Sequence, residues 1–115
     1  MRNKNIIDVT GIEDFISLKE LDLYGSPFET IDLSSLTMLE VFKQEECYLT
    51  QLNISQNTKL KEITIDVRND TPDKHLTSLD ISNNPLLEKL ALGSPQISSL
   101  DLSANLNLKI LYLKN

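Results

Sequence analysis

Four polar residues recur at matching places in the 115-residue sequence, and each is followed two positions later by a serine. These residues are Asp32, Asn53, Asp80 and Asp101. If the segments that carry them lie side by side, about 4.8 Å apart, their oxygens form a column that could attract calcium. Calcium-binding solenoids carry a glycine-rich turn at such a column, whereas this chain has only three glycines. We therefore favour solvated or hydroxyl-bonded aspartates, and calcium binding stays open as the alternative.

Residues that could support catalysis are scarce. The chain has one histidine, His75, and one cysteine, Cys47, which excludes an intrachain disulfide and a histidine-rich metal cage. It contains no G-x-S-x-G, P-loop or H-E-x-x-H motif, and no motif surrounds His75. We therefore predict that the chain is not an enzyme and uses no cofactor.

Composition narrows the class of protein further. A chain of 115 residues with 40% hydrophobic residues forms one small domain with a modest core. The net charge of -6 argues against a nucleic-acid partner, because phosphate contacts need clustered lysines and arginines. No segment reaches membrane-spanning length, and the first residues lack the apolar run of a signal peptide. As given, the sequence predicts a soluble, unexported chain, although a chain whose leader had been removed would look the same.

A six-residue unit with alternating apolar residues, such as Leu-Lys-Glu-Leu-Asp-Leu, recurs along the chain at spacings of 21, 21, 27 and 21 residues. This first series begins at Leu18, Leu39, Leu60, Leu87 and Leu108. A second series alternates with it and begins at Phe28, Leu49, Leu76 and Ile97. Alternation is the period of a strand with one buried face. We therefore predict coils with two extended arms each, stacked so that leucine packs on leucine.

These units resemble the leucine-rich repeat family, with its pattern L-x-x-L-x-L-x-x-N/C-x-L. The stretch GIEDFISLKELDL and the later L-D-L-S-x-N units are similar to the 21-residue repeats of bacterial internalin-like surface proteins. The resemblance implies a right-handed solenoid of about five coils of short parallel β-strands with little helix. It also implies a cell-surface or secreted location. Cys47 falls on the N/C position of the pattern, and we interpret it as a buried structural thiol rather than a reactive one.

The repeats divide a single domain of residues 1–115 into coils. The predicted divisions are a partial coil at 1–17, repeats at 18–38, 39–59, 60–86 and 87–107, and a truncated repeat at 108–115. The register predicts that four leucines are buried: Leu79, Leu90, Leu100 and Leu111. Gln44 places an amide in a leucine column, which predicts a local distortion. At equivalent turns stand Asn57, Asn84 and Asn105, whose side chains we expect to bond backbone groups left unpaired by stacking.

The residues at outward positions of the first series differ from coil to coil. The second series instead repeats threonine or serine, then aspartate, then serine at every second position, as in Thr30, Asp32 and Ser34. We predict that the variable column forms a concave surface that binds a protein partner. The candidate binding residues are Glu20, Asp22, Tyr24, Val41, Lys43, Glu45, Glu62, Thr64, Asp66, Lys89 and Tyr112. The other outward positions are Ala91, Gly93, Ile110 and Lys114.

Two alternative functions stay open. One is a glycan- or calcium-assisted adhesive surface, although tryptophan is absent and only Tyr24 and Tyr112 offer concave rings. The other is a structural spacer cut from a longer repeat array.

Two segments invite separate interpretations. Residues 67–75 contain a six-residue insertion with the composition of a turn, either a contact loop or a tolerated insertion. The last strand-like unit, 108–113, is followed by no covering segment. We therefore expect self-association through this unit, or further repeats in a longer protein.

Overall fold

The structure is a computed structural model that describes residues 8–67, 76–94 and 96–114. Its five strands form one parallel sheet in which neighbours in sequence are neighbours in space. The strands are β1 (Glu20–Asp22), β2 (Val41–Cys47), β3 (Glu62–Val67), β4 (Lys89–Gly93) and β5 (Ile110–Lys114). The single helical element in the described ranges is a 3₁₀ turn at Ile12–Asp14, and none of their helices could cross a membrane. The predicted solenoid of short parallel strands with little helix is confirmed, with about four turns.

Stacking in register places equivalent apolar side chains against one another. Leu21 pairs with Phe42, Phe42 with Ile63, and Ile63 with Leu90. All four side chains are at most 1% exposed. Burial of such a side chain contributes about 1.5–3 kcal/mol, and this column is the centre of the core.

Two of the four leucines that the register predicts to be buried lie in the core. Leu79 and Leu90 are buried. Leu100 is only partly buried and Leu111 is 43% exposed, so the prediction for these two is wrong. Leu111 still pairs with Leu90, which means that the register itself is correct. Its exposure arises because β5 is the edge of the sheet in the described part of the chain.

The second series does not form strands. Residues 28–33, 49–54, 76–81 and 97–102 contain no strand, so strand pairing is confined to the first series. One cause is local, since the backbone N–H of Ser34 donates to Asp32 Oδ1 instead of to a neighbouring coil. Two successive turns then carry the chain toward the next strand, with Leu36 N bonded to Leu33 O and Leu39 N to Leu36 O.

The three turn asparagines bond the backbone as predicted. Asn57 Nδ2 donates to the carbonyl oxygens of Leu33 and Leu36 in the preceding coil, both at 2.9 Å. Asn84 repeats this arrangement one coil later, with Asn57 O as one of its acceptors at 2.9 Å. Asn105 in turn donates to Asn84 O at 3.0 Å. These buried amides therefore form a ladder that links each coil to the next, and they give a second hydrogen bond to carbonyl groups that the turns already pair.

The distortion predicted at Gln44 is present. The pairing of β2 with β3 shifts register between Glu45 and Cys47. Glu46 has a φ of 50°, in the left-handed region that non-glycine residues rarely adopt. Gln44 itself is 0% exposed, and neither polar atom of its amide has a hydrogen-bond partner among the described residues. Such an unpaired buried amide costs stability.

The proposed contact loop falls largely on residues 68–75, which lie outside the described residues. Val67, the first residue of the predicted loop, is instead the last residue of β3 and is buried. The function of the insertion stays a prediction.

We predict that Gln44→Leu stabilises the chain by about 1–3 kcal/mol, the range expected for removal of an unpaired buried polar group. Gln44 pairs with Ile65, so leucine would extend an apolar column without adding a polar atom. Urea unfolding followed by circular dichroism measures the change. The matched control is Gln51→Leu, because Gln51 is exposed and its replacement should have little effect. A destabilised Gln44→Leu variant would contradict the prediction and would mean that the amide is satisfied.

Candidate binding surface

The sheet face is the set of side chains that point away from the core along β1 to β5. Buried and partly exposed residues alternate along β3, so every second side chain is available on this face. The same alternation holds in β4 as far as Leu92. Of the candidate binding residues, all except Tyr24 lie in strands, and Tyr24 lies in the turn after β1.

Parallel register arranges the sheet face in three rows that cross the strands. The first row contains Glu20, Val41, Glu62, Lys89 and Ile110. The second row contains Asp22, Lys43, Thr64, Ala91 and Tyr112. The third row contains Glu45, Asp66, Gly93 and Lys114. Four strand spacings separate β1 from β5, about 19 Å, so the structure brings the candidates onto one surface rather than into one cluster.

Among the described residues, three ion pairs cross the strands on this face. Lys43 Nζ and Lys89 Nζ lie 3.6 Å and 3.4 Å from the same oxygen, Glu62 Oε1. Lys114 Nζ lies 3.7 Å from Asp66 Oδ2. All of these side chains are partly exposed, and exposed pairs contribute only about 0–1 kcal/mol each. The charges can therefore be rearranged by a partner at little cost to the fold.

A charge ladder, which the sequence analysis did not identify, runs beside the first row. It contains Lys19, Glu40, Lys61, Glu88 and Lys109, which alternate in sign from coil to coil. Lys61 contacts Glu40 at 3.1 Å and Lys109 contacts Glu88 at 3.0 Å. The hydrogen bond from Lys61 and its positive charge lower the pKa of Glu40. The sequence could have revealed this ladder, because the residue directly after the first leucine of each unit alternates between lysine and glutamate.

Gly93 is a second feature that sequence reasoning did not use. The position that a Cβ atom would occupy at Gly93 is taken by Oδ1 of Asp66, and Asp66 Cγ lies 3.1 Å from it. The φ of Gly93 is not positive, so the glycine is needed for close approach and not for an unusual backbone conformation. A glycine inside a strand is the sequence signal for such an approach.

The row of Asp32, Asn53, Asp80 and Asp101 lies in the segments of the second series. We call these segments, residues 28–33, 49–54, 76–81 and 97–102, the second arms. Each side chain accepts a hydrogen bond at 2.9 Å from the backbone N–H of the serine two positions later. Asp80 also accepts a hydrogen bond from the Ser82 hydroxyl at 2.6 Å. The preferred interpretation, hydroxyl-bonded aspartates, is therefore present in the structure. Within the described ranges, no cluster of three or more His, Cys, Asp or Glu residues could hold a metal ion.

The aspartates of this row titrate at lower pH than usual. Hydrogen bonds from the serine hydroxyl, and then from the serine backbone N–H, lower the pKa of Asp32, Asp80 and Asp101. Asn53 makes the same backbone bond without a charge, which shows that the turn needs an oxygen acceptor and not a carboxylate.

Cys47 is buried, as predicted. Loss of hydration raises the pKa of its thiol to about 11, and the nearby Asp66 charge adds to the rise. A thiol with so high a pKa is almost entirely protonated at neutral pH, and the thiolate is the nucleophilic form.

The lowered carboxyl pKa values predict a specific pH dependence. Because these aspartates hold their protons less tightly in the folded chain, their stabilising effect is complete above the ordinary carboxyl range near pH 4 and is lost as the pH falls. Replacing Asp32, Asp80 and Asp101 with asparagine should keep the turns, as Asn53 does, but reduce the fall in melting temperature on acidification. Asn53→Asp is the matched control and should make the fall steeper. Equal pH profiles for all three chains would contradict the prediction.

Known proteins resemble this chain in both sequence and fold. Residues 75–95 match the family described as Leucine Rich Repeat. The functional domain of InlJ from Listeria monocytogenes, described as including a cysteine ladder, is similar in structure, with a TM-score of 0.74 and 24% identity over 91% of this chain. The chain spans 22% of the length of that structure, and no curated protein matches it significantly. The single Cys47, paired with Val67, cannot form a comparable ladder. The chain therefore has the leucine-rich repeat fold, and its solenoid is internalin-like.

Proposed function

We propose that the chain is a non-catalytic binding module that presents its sheet face to a protein partner. The observation that carries the proposal is the contrast between the two arms. Side chains on the sheet face differ in every coil and are not needed for stacking, whereas second-arm positions repeat a turn motif that the backbone uses. Freedom from a structural role is what allows a surface to be selected for recognition.

The charge distribution supports a protein partner of mixed polarity. Acidic side chains dominate the strands at the start of the sheet, through Glu20, Asp22 and Glu45, and lysines alternate with apolar residues toward β5. A surface with both signs of charge provides specificity and orientation more than bulk affinity. The fold supports the same proposal, because leucine-rich repeat proteins are typically binding proteins rather than enzymes. The likeness to InlJ also supports a location at the cell surface or outside the cell.

The proposal predicts that binding depends on the sheet face. Glu20→Gln, Asp22→Asn and Glu45→Gln together should weaken binding to a partner by about tenfold or more, because complementary charges are lost at the contact. The matched control places the same charge change on the second arms, with Thr30→Lys, Ser78→Lys and Ser99→Lys, and should bind normally.

The measurement is surface plasmon resonance with partners identified by cross-linking the folded chain among proteins of its natural surroundings. Equal binding by both variants would contradict the proposal. Calcium-dependent binding to a glycan array would instead favour the adhesive surface, and absence of any binding would favour the spacer.

A second proposal concerns association of the chain with itself through β5. The apolar residues of this strand, Ile110, Leu111, Tyr112 and Leu113, are all exposed. Beyond β5 the described residues contain no further strand, so one edge of β5 has no strand partner in this sheet. An exposed apolar edge strand readily pairs with another chain. The occupant that we propose is the β5 edge of a second copy.

Self-association should appear as a dimer in sedimentation velocity that increases with concentration. Leu111→Lys with Leu113→Lys should give a monomer, since charges on an edge oppose pairing. Leu106→Lys is the control, because Leu106 is 90% exposed and lies outside the strand. A folded wild-type chain that stays monomeric at high concentration would overturn this proposal.

A further inference from the structure

A groove crosses the sheet face above β4. It has a volume of about 480 Å³, within the size range of ligand pockets. Ala91 forms its floor between Thr64 on β3 and Tyr112 on β5, because a methyl group is much shorter than the side chains beside it. The ring of Tyr112 is 62% exposed and Ile110 is 53% exposed, so the wall on the β5 side is apolar. This shape suits a large apolar side chain, and aromatic rings pack well against a tyrosine ring.

One end of the groove carries surplus negative charge. Glu45 and Asp66 are directly paired on adjacent strands, about 4.8 Å apart along the sheet, where like charges destabilise each other. Gly93 has no side chain, and this space lets the Asp66 carboxylate lie across β4. In the described part of the chain, one cation reaches this end of the groove, because Lys114 Nζ lies 3.7 Å from Asp66 Oδ2. Lys114 pairs with Asp66 alone, so the Glu45 carboxylate has no ion pair among the described residues.

The opposite end of the groove has the reverse imbalance. Lys43 and Lys89 both contact one oxygen of Glu62. A cation entering the groove is therefore repelled at the end nearest the first row and attracted at the end nearest the third row. The electrostatic potential of the groove therefore changes sign between its two ends, above an apolar floor.

We propose that the groove binds a segment of the protein partner that carries an aromatic side chain followed by an arginine. The aromatic ring lies over Ala91 against Tyr112, and the guanidinium group bridges Glu45 and Asp66. Arginine fits better than lysine because its planar group donates several hydrogen bonds at once to two carboxylates. The proposal rests on the proposed function of the sheet face and adds the chemistry of one contact within it.

The test uses the ¹⁵N-labelled chain and a capped peptide, Gly-Ser-Phe-Arg-Ser-Gly, followed by NMR. Saturable shifts at the amides of Thr64, Ala91 and Gly93 in the millimolar range support the proposal. Peptides with Phe replaced by Ser, or Arg replaced by Glu, should not saturate. Absence of a saturable shift, shifts confined to other surfaces, or equal binding of the Glu peptide would overturn it.

Variants of the chain provide a second test of the groove. Ala91→Phe fills the groove and should abolish the shifts, whereas Ser78→Phe, on the exposed second arm, should retain them. Asp66→Asn should weaken peptide binding by about fivefold, the upper range for an exposed charge pair. This variant decides the matter if Ala91→Phe fails to fold, and unchanged affinity would overturn the proposal. If the peptide does not bind but the sheet-face variant still loses its natural partner, the groove proposal fails and the proposed function stands.

Discussion

The structure depends on one constraint: a coil can bury its apolar side chains only against the next coil. Phe42, Ile63 and Leu90 occupy one column and are completely buried because each has a neighbour on both sides. Leu111 continues the same column, yet it is 43% exposed because no described strand follows β5. Burial is thus a property of the neighbour as much as of the residue. Stability in such a fold is a sum of contacts between adjacent coils, and a change in one coil acts mainly on the coils beside it.

Stacking also determines which polar residues can be accommodated inside. The turn carbonyls already accept a backbone hydrogen bond within their own coil, for example Leu36 O from Leu39 N. Asn57, Asn84 and Asn105 add a second hydrogen bond to such carbonyls from the following coil. The aspartates of the second arms perform a different task, because they bond the backbone of their own coil and remain exposed. One ladder therefore connects coils, while the other shapes each coil separately. Gln44 belongs to neither ladder, and the β-bulge beside it marks where a polar residue interrupts the apolar column.

Side chains of the sheet face neither link adjacent coils nor shape the backbone of their own coil, which explains why they differ between coils. Its ion pairs are exposed and weak, so they position charges without contributing much to stability. The small residues of β4 add a depression to an otherwise filled surface, and the absent side chain of Gly93 determines where the Asp66 carboxylate lies. The same stack of strands thus provides a rigid support for a surface whose composition can vary.

The sequence by itself determined the repeat, the parallel strands of the first series and the asparagine ladder, because alternation and fixed spacing are properties of a single coil copied along the chain. It also located the distortion at Gln44, since an amide in an apolar column conflicts with burial. Only the tertiary structure decided that the second arms are not strands, that Leu111 is exposed, and that Asp66 reaches Lys114 across Gly93. These features depend on which coil lies beside which residue, and on distances between side chains of different coils. Local spacing contains neither kind of information.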